Sequence, residues 1–125
     1  MSAATERRRK AERRGRWAES LCLWSLRLRG YRILARDYRV AVGEIDILAR
    51  RGGTLAAIEV KARDDETAAI AAVTPRQRRR ITRAAAHFLS SRPILARLTV
   101  RFDVMLVMPG RLPLHLRDAW REGDG

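Results

Sequence analysis

The chain has 125 residues, of which 46% are hydrophobic and 33% are charged, and this balance predicts one globular domain and excludes a disordered chain. Its single cysteine, Cys22, excludes an internal disulfide framework, and no apolar run approaches the roughly 20 residues of a membrane span, so we expect a cytoplasmic protein without a membrane partner. The formal net charge of +13 favours polyanionic partners such as nucleic acid, although an arginine-rich sequence bias produces the same excess.

A long helix is predicted over residues 5–29, with Gly30 as its C-terminal stop. One apolar stripe recurs along it at i, i+4, i+7 and i+11, and its members are Trp17, Leu21, Trp24 and Leu28. Leu23 and Leu26 make the opposite side apolar as well, so we expect the second half of the helix to be covered on both sides. Within a single domain of residues 1–125, residues 1–14 are expected to form a basic, partly flexible N-terminal extension.

A sheet is predicted to follow this helix. Residues 31–40 have the arginine-rich alternation of an edge strand, and residues 44–51 and 54–63 are strands joined by Gly52-Gly53. Two glycines between strand-like runs predict a tight β-hairpin. Residues 64–73 show no clear period and are predicted to be a loop.

The second helix begins at Thr74-Pro75-Arg76-Gln77, with Thr at the N-cap, Pro at the first position and Gln at the third. Its inward stripe consists of Ile81, Ala84, Ala85, Phe88 and Leu89. Residues 98–108 form the longest strand, and residues 111–116 form a short last strand after Pro109-Gly110. This order predicts an α/β sandwich, a central mixed sheet of about five strands flanked by helices.

Polar residues on the two hairpin strands form the most informative pattern in the sequence. Because side chains alternate along a strand, Glu44 and Asp46 are predicted to share one face, and so are Glu59 and Lys61, with Ile45 and Ile47 opposite. Pairing about the Gly-Gly turn places Asp46 near Glu59. Clustered carboxylates repel one another, and a divalent cation such as Mg²⁺ would neutralise them. The alternative is a solvated sheet face with weak cross-strand ion pairs.

Asp46 followed by Glu59-x-Lys61 across a hairpin resembles the signature of the PD-(D/E)XK nuclease superfamily. Three segments in order, residues 43–46, 58–63 and 101–104, more narrowly resemble the YraN-like family, a bacterial group related to Holliday junction resolvases. The resemblance extends from about residue 14 to residue 120. It implies a restriction-endonuclease-like fold.

The resemblance also implies roles for individual residues. It makes Asp46 and Glu59 metal ligands and Lys61 the catalytic lysine, and it adds Glu19 of the first helix to the catalytic and metal-binding set. Glu19 is expected to lie on the covered side of that helix, where a carboxylate needs a binding partner. Gln77 stands where this family commonly has lysine, so it is either an accessory residue of the site or the partner of Thr74 in a capping box.

Several residues keep two interpretations. Glu44 is either an accessory site residue or the partner of a nearby arginine, and for Arg101 with Asp103 a structural salt bridge is preferred. Arg76, Arg80 and Arg83 form a helix stripe that either contacts phosphates or is an ordinary solvated face. His115 alternates with leucines and is expected to point away from the core.

The acidic patch and the resemblance together predict a metal-dependent DNA endonuclease that hydrolyses phosphodiester bonds, with branched or recombination-intermediate DNA as the substrate that the resemblance suggests. Its cofactor is expected to be Mg²⁺, with Mn²⁺ as a substitute. The alternative is a non-catalytic nucleic-acid-binding or assembly protein that retains the nuclease fold. Resolvase-like nucleases often act as dimers, so a homodimer is expected, although no residue pattern identifies its surface.

Overall fold

The computed structural model describes residues 2–123, apart from the side chains of residues 11, 12 and 14; residues 1, 124 and 125 of the predicted domain lie outside the described part. The elements in chain order are α1 (Ala3–Leu28), β1 (Arg32–Val40), β2 (Gly43–Arg51), β3 (Thr54–Ala62), α2 (Glu66–Ala71), α3 (Pro75–Ser90), a single 3₁₀ turn (Pro93–Leu95), β4 (Thr99–Val107) and β5 (Leu114–Trp120). No helix within this part of the chain combines the length and apolar character needed to cross a bilayer.

The five strands form one sheet in the order β1-β2-β3-β4-β5. β1, β2 and β3 form an antiparallel meander, and β4 and β5 are also antiparallel. β3 and β4 are parallel, which requires a crossover connection, and α2 and α3 provide it. The prediction of an α/β fold with a mixed five-stranded sheet and β1 at its edge is confirmed, and this architecture is consistent with a restriction-endonuclease-like fold.

The sheet is covered on both faces, so the protein has two apolar clusters. The larger cluster lies on the α3 side and includes Ile81, Ala84, Ala85 and Phe88 of the predicted stripe. The smaller cluster lies on the α1 side, where Cys22, Leu23 and Leu26 pack against the opposite face of the same strands. Cys22 is fully buried, as expected of a small apolar side chain.

The first turn of α3 has the predicted geometry. The Thr74 hydroxyl accepts a hydrogen bond from the Gln77 N–H at 3.2 Å, and the Gln77 side-chain oxygen accepts one from the Thr74 N–H at the same distance. Pro75 occupies the first helical position. This capping box fixes the point at which α3 starts, beside the carboxyl-terminal end of β3.

Two predicted elements differ from the structure. The predicted loop over residues 64–73 contains α2, because the Asp65 side chain accepts the Ala68 N–H at 2.8 Å and caps a helix too short to show a period. The last strand runs from Leu114 to Trp120 and not over residues 111–116. Stacking of Trp120 on Phe102, with ring centroids 4.1 Å apart, holds this later segment on β4.

The prediction that α1 is covered on both sides is wrong. The buried side is the one that carries Cys22, Leu23 and Leu26, whereas Trp17 and Trp24 of the longer stripe are exposed. Helical periodicity correctly identified two apolar sides of α1. A helix that packs on a sheet, however, can bury only one side against that sheet.

Candidate active site

Asp46 lies where the β2–β3 hairpin opens. The pairing of the two strands ends at Ile47 opposite Ile58, so the next opposed positions are Asp46 and Glu59. In place of a further ladder bond, the Asp46 carboxylate accepts the backbone N–H of Val60 at 2.8 Å. The side chain therefore occupies the gap between the strands, and a charge-assisted hydrogen bond fixes its orientation.

Strand alternation shifts at Asp46. Ile45 packs in the α3-side cluster and Ile47 in the α1-side cluster, so the prediction that these two residues share a face is wrong. The neighbouring position on β1 is Asp37, whose φ of 45° lies in the left-handed region, a conformation that Asp and Asn tolerate better than other side chains. This irregular pair of positions turns the Asp46 side chain toward β3.

Glu59 is in contact with Asp46. Burial, followed by the hydrogen bond and the negative charge of Asp46, raises the pKa of Glu59 to about 9, whereas the Lys61 ammonium acts in the opposite direction. Burial and the neighbouring negative charge therefore disfavour the ionised form of Glu59 in the free protein. The structure thus brings these two predicted residues together as a carboxylate pair.

Lys61 follows Glu59 on the same face of β3. Its ammonium donates to the side-chain oxygen of Gln77 at 3.4 Å, which shows that this face points toward α3. The same oxygen of Gln77 accepts the Thr74 N–H. The capping interpretation of Gln77 is therefore confirmed, and the same side chain also contacts the candidate catalytic lysine.

Glu19 approaches from the α1 side of the sheet. Its side chain is 16% exposed, and the Arg36 guanidinium donates to it at 3.4 Å. Burial raises the pKa of Glu19, as do the charges of Asp37 and Asp46, whereas Arg36 lowers it. Glu19 and Asp46 line one cavity of about 400 Å³ together with Val60. The predicted inward orientation of Glu19 is confirmed, and Arg36 is a partner that the sequence pattern had not indicated.

The three candidate ligands do not form one compact group. Asp46 contacts Glu59 toward α3 and shares a cavity with Glu19 toward α1. Among the side chains that the structure describes, no three of His, Cys, Asp or Glu lie close enough together to hold a metal ion. Mg²⁺ is commonly held by one or two carboxylates, with water and phosphate as the remaining ligands. The oxygen donors of Asp46 and Glu59 fit that requirement, and Glu19 would have to move to join them.

Glu44 pairs with an arginine, which is the second of the two roles predicted for it. Its carboxylate lies 4.0 Å from the Arg39 guanidinium, and both side chains are well exposed. Such a pair contributes little to stability because solvent screens it. Glu44 still acts on the site through its charge, which raises the pKa of Glu59.

The predicted arginine stripe lies on α3. Arg76 and Arg83 are exposed, whereas Arg80 is partly buried. The backbone of Arg80 lies so close to Gly43 that a Cβ atom on Gly43 would collide with the Arg80 carbonyl group. Gly43 therefore allows α3 to approach β2 beside the site.

A buried polar network lies elsewhere in the sheet. Asp103 is fully buried, and it accepts two hydrogen bonds from Arg101 at 2.8 and 2.9 Å, one from His115 Nε2 at 2.7 Å and one from the Asp118 N–H at 2.9 Å. Arg101 also donates to the Tyr31 hydroxyl at 2.6 Å. The preferred interpretation of Arg101 and Asp103 as a structural salt bridge is confirmed.

The prediction that His115 points away from the core is wrong. His115 is opposite Met105, and Met105 belongs to the α1-side cluster. The leucines beside His115 do point into the core, but this sheet has a second covered face, which strand alternation alone does not reveal. Asp103 was the sequence signal for a buried His115, because a carboxylate in the middle of an apolar strand needs hydrogen-bond donors.

A sequence model of the uncharacterised protein family UPF0102 matches residues 18–107. The matched range contains the candidate site residues from Glu19 to Gln77 and most of the sheet. The chain belongs to the UPF0102 family. The resemblance to the YraN-like family is thereby confirmed.

Related UPF0102 proteins span nearly the same length. A UPF0102 protein of Maricaulis maris is 52% identical over 120 residues, which cover 96% of this chain and 94% of the relative. Another, of Parvibaculum lavamentivorans, is 53% identical over 111 residues, covering 89% of this chain and 84% of the relative. A third, of Paramagnetospirillum magneticum, is 52% identical over 115 residues, or 89% of each chain. Their names state the family and no activity.

Proposed function

We propose that this UPF0102 chain is a metal-dependent endonuclease that hydrolyses phosphodiester bonds in DNA, with branched or recombination-intermediate DNA as the expected substrate. The observation that supports this proposal best is the contact between the Asp46 and Glu59 carboxyls beside Lys61. A carboxylate pair in which the ionised form of one member is disfavoured is a suitable binding site for a divalent cation, which would neutralise the negative charge.

Each residue has a specific task in this proposal. Asp46 and Glu59 would hold Mg²⁺ or Mn²⁺, and Glu19 would join them by moving from the α1 side. When bound, the metal supplies polarisation of a phosphate oxygen and a lower pKa for water. Lys61, oriented by Gln77, stabilises negative charge on the phosphate that is attacked.

The exposed arginines of α3 have a positioning task. Arg76 and Arg83 contact the sugar-phosphate backbone, and Arg80 lies between them on the helix. Phosphate contacts of this kind fix the orientation of the nucleic acid without reading its sequence. The net positive charge of the chain also favours binding of DNA to this face of α3.

Cleavage assays test the proposal. Linear, single-stranded and four-way DNA are incubated with the protein in Mg²⁺ or Mn²⁺, and the variants Asp46→Asn, Glu59→Gln and Lys61→Met are compared with Glu44→Gln. Glu44 is the matched control because it is an acidic side chain of the same strand as Asp46, its partner is an exposed arginine, and it acts on Glu59 through a solvent-screened charge and not by contact. Cleavage is expected for wild type and Glu44→Gln and is expected to fall at least about a hundredfold in the other three. Undiminished cleavage by Asp46→Asn would refute the assigned site.

A second function is supported by a separate observation. The described residues contain no ready-made group of three metal-binding side chains, which favours a nucleic-acid-binding or assembly protein that keeps the fold without the chemistry. DNA or RNA binding that depends on salt, is unaffected by Mn²⁺ and leads to no cleavage would identify this alternative.

A further inference from the structure

The N-terminal half of α1 is a helical segment with a dense positive charge. Between residues 3 and 16 the sequence has seven arginines or lysines and two glutamates. Every described side chain of this range is exposed except that of Thr5, which is partly buried. The buried residues of α1 begin only at Cys22. Residues 3–16, here called the basic arm, therefore extend from the fold, and the second half of α1 packs on the sheet.

The cations of the basic arm lack counter-charges. Within the described part of the chain, none of them forms a salt bridge with a carboxylate. Arg9 and Arg13 are four residues apart, and Arg13 and Arg16 are three apart, so like charges face one another along the helix and destabilise it. A partner that supplies several negative charges would remove this repulsion.

The distribution of the charges limits what that partner can be. Successive residues of a helix are about 100° apart, so the consecutive cations Arg7, Arg8, Arg9 and Lys10 point in four directions around the axis. No large apolar side chain occurs between residues 3 and 16, whereas a helix that lies on a membrane surface needs an apolar face. The partner therefore has to present negative charge on more than one side of the basic arm.

The major groove of B-form DNA has this shape. It is about 12 Å wide, which admits a helix of roughly 10–12 Å diameter, and phosphates line both of its walls. With a rise of 1.5 Å per residue the basic arm is about 21 Å long, or roughly six base pairs. The major groove of an RNA duplex is too deep and narrow, and a single strand offers phosphates on one side only. The charge and shape of the arm thus favour duplex DNA.

The basic arm leaves the fold beside the candidate active site. The cavity of about 400 Å³ that contains Glu19 and Asp46 is also lined by Gly15 and Arg16 of the arm. Other lining residues of this cavity are the last residues of β3 and β4. This is the end of the sheet at which Lys61 contacts α3. A duplex bound along the arm is therefore close to the candidate site.

Gly15 leaves open space between the arm and this cavity. It lies one turn before Glu19 on the same face of α1, and a Cβ atom on it would meet no atom within 4 Å. Glycine inside a helix costs stability relative to alanine, and no contact in the described chain requires glycine here. The space beside Gly15 is suitable for a phosphate backbone that passes from the arm to the cavity.

We propose that the basic arm lies in the major groove of a DNA duplex next to the bond held at the candidate site, and that its arginines contact phosphates of both strands. The inference rests on the proposed function for the identity of the nucleic acid. It adds a requirement for roughly six base pairs of duplex on one side of that bond. The task of the arm is positioning, since phosphate contacts carry no sequence information.

Fluorescence anisotropy of the full chain with a labelled duplex in EDTA tests the contact without cleavage. The double variant Arg9→Gln with Arg13→Gln is compared with Arg97→Gln with Arg111→Gln, whose side chains are exposed and lie outside α1 and α3. Glutamine preserves helix propensity. The slope of log K against log salt is expected to be about 1.8 less steep for the arm pair and nearly unchanged for the control pair. Equal slopes for the two pairs would overturn the proposal.

A duplex with a blocked major groove tests the position of the arm. A glucosylated hydroxymethyl group at C5 of each cytosine is uncharged and projects into the major groove. Wild type is expected to bind this duplex at least about fivefold more weakly than the unmodified duplex, because the added groups collide with the arm. The arm pair is expected to lose most of this difference. Equal binding of wild type to both duplexes would refute the placement in the groove.

The outcomes distinguish this inference from the proposed function. Cleavage that requires Asp46, combined with equal behaviour of the arm pair and the control pair, would leave the nuclease proposal intact and refute the role of the arm. Duplex binding that depends on the arm, without cleavage in Mg²⁺ or Mn²⁺, would support the arm and refute the nuclease. Binding to vesicles of anionic phospholipid that depends on the arm, without such dependence for DNA, would assign the arm to a membrane surface and overturn the inference.

Discussion

Asp46 can lose its charge with little change in shape. Asp46→Asn keeps a side-chain oxygen that can accept the Val60 N–H and removes the negative charge that a cation requires. Calorimetric titration with Mn²⁺ is therefore expected to show binding to wild type and at least about tenfold weaker binding to Asp46→Asn. This measurement asks whether a metal site exists before any substrate is chosen.

Glu44→Gln is the control for this titration. It removes one negative charge from the same strand, but Glu44 is paired with Arg39 at the surface. Its Mn²⁺ affinity is expected to stay within about twofold of wild type, because long-range charge is screened by salt. Equal affinities for wild type, Asp46→Asn and Glu44→Gln would show that Asp46 holds no metal.

Asp103 illustrates a carboxylate with a structural task. Asp103→Asn leaves Arg101 buried in part without its ionic partner, and breaking a buried pair of this kind typically costs about 3–5 kcal/mol. The free energy of unfolding in urea is expected to fall by several kcal/mol, while Mn²⁺ binding to the folded protein is retained. A loss below about 0.5 kcal/mol, the usual range for a surface substitution, would contradict this role.

The same carboxylate gives a prediction for acid stability. Burial alone would raise the pKa of Asp103, but hydrogen bonds from His115, Arg101 and the Asp118 N–H outweigh it and lower the pKa below its ordinary value of 3.8. The stabilisation is therefore present above that value and is lost as pH falls through the lower pKa of the folded state. Urea unfolding between neutral and acidic pH is expected to show a smaller loss in Asp103→Asn than in wild type.

At the scale of elements, the contact between α3 and β2 depends on Gly43. A Cβ atom at this position would collide with the Arg80 carbonyl group, and neither backbone can move without separating the helix from the strand. Gly43→Ala is expected to destabilise the fold by about 1–3 kcal/mol. It should also slow DNA cleavage, because α3 carries the Gln77 that contacts Lys61.

Gly53→Ala is the matched control for this substitution. Gly53 lies in the turn of the hairpin, has open space where the added methyl group would lie and does not require a positive φ. Its free energy of unfolding is expected to change by less than about 0.5 kcal/mol. Equal destabilisation by Gly43→Ala and Gly53→Ala would show that close approach of α3 is unimportant.

The sequence predicted those elements whose signal is local. Gly52-Gly53 predicted the hairpin, and the hairpin placed Asp46 opposite Glu59; Thr74 and Gln77 predicted the start of α3. Features that depend on contacts between distant segments were not predictable in the same way. The shift of alternation at Asp46 arises together with the left-handed backbone of Asp37 on the neighbouring strand, and neither position alone indicates it.

At the scale of the whole molecule, the missing information was which faces are covered. Alternation placed His115 correctly opposite its leucine neighbours, and helical periodicity placed Trp24 correctly opposite Leu26. In both cases the prediction was wrong about which side is buried against another part of the protein. His115 is buried because α1 covers a second face of the sheet, and Trp24 is exposed because α1 has only one sheet to pack against.

The net charge of +13 gives a prediction that separates a specific DNA-binding face from general attraction. The double variants Arg76→Gln with Arg83→Gln, and Arg97→Gln with Arg111→Gln, remove the same charge from exposed side chains, but only the first pair lies on α3. Each phosphate contact contributes about 0.9 to the slope of log K against log salt. If α3 contacts the backbone, fluorescence anisotropy with duplex DNA should show a slope about 1.8 less steep for the α3 pair and little change for the control pair. Equal changes would mean that the chain binds DNA through its overall charge, and α3 would then be an ordinary solvated helix.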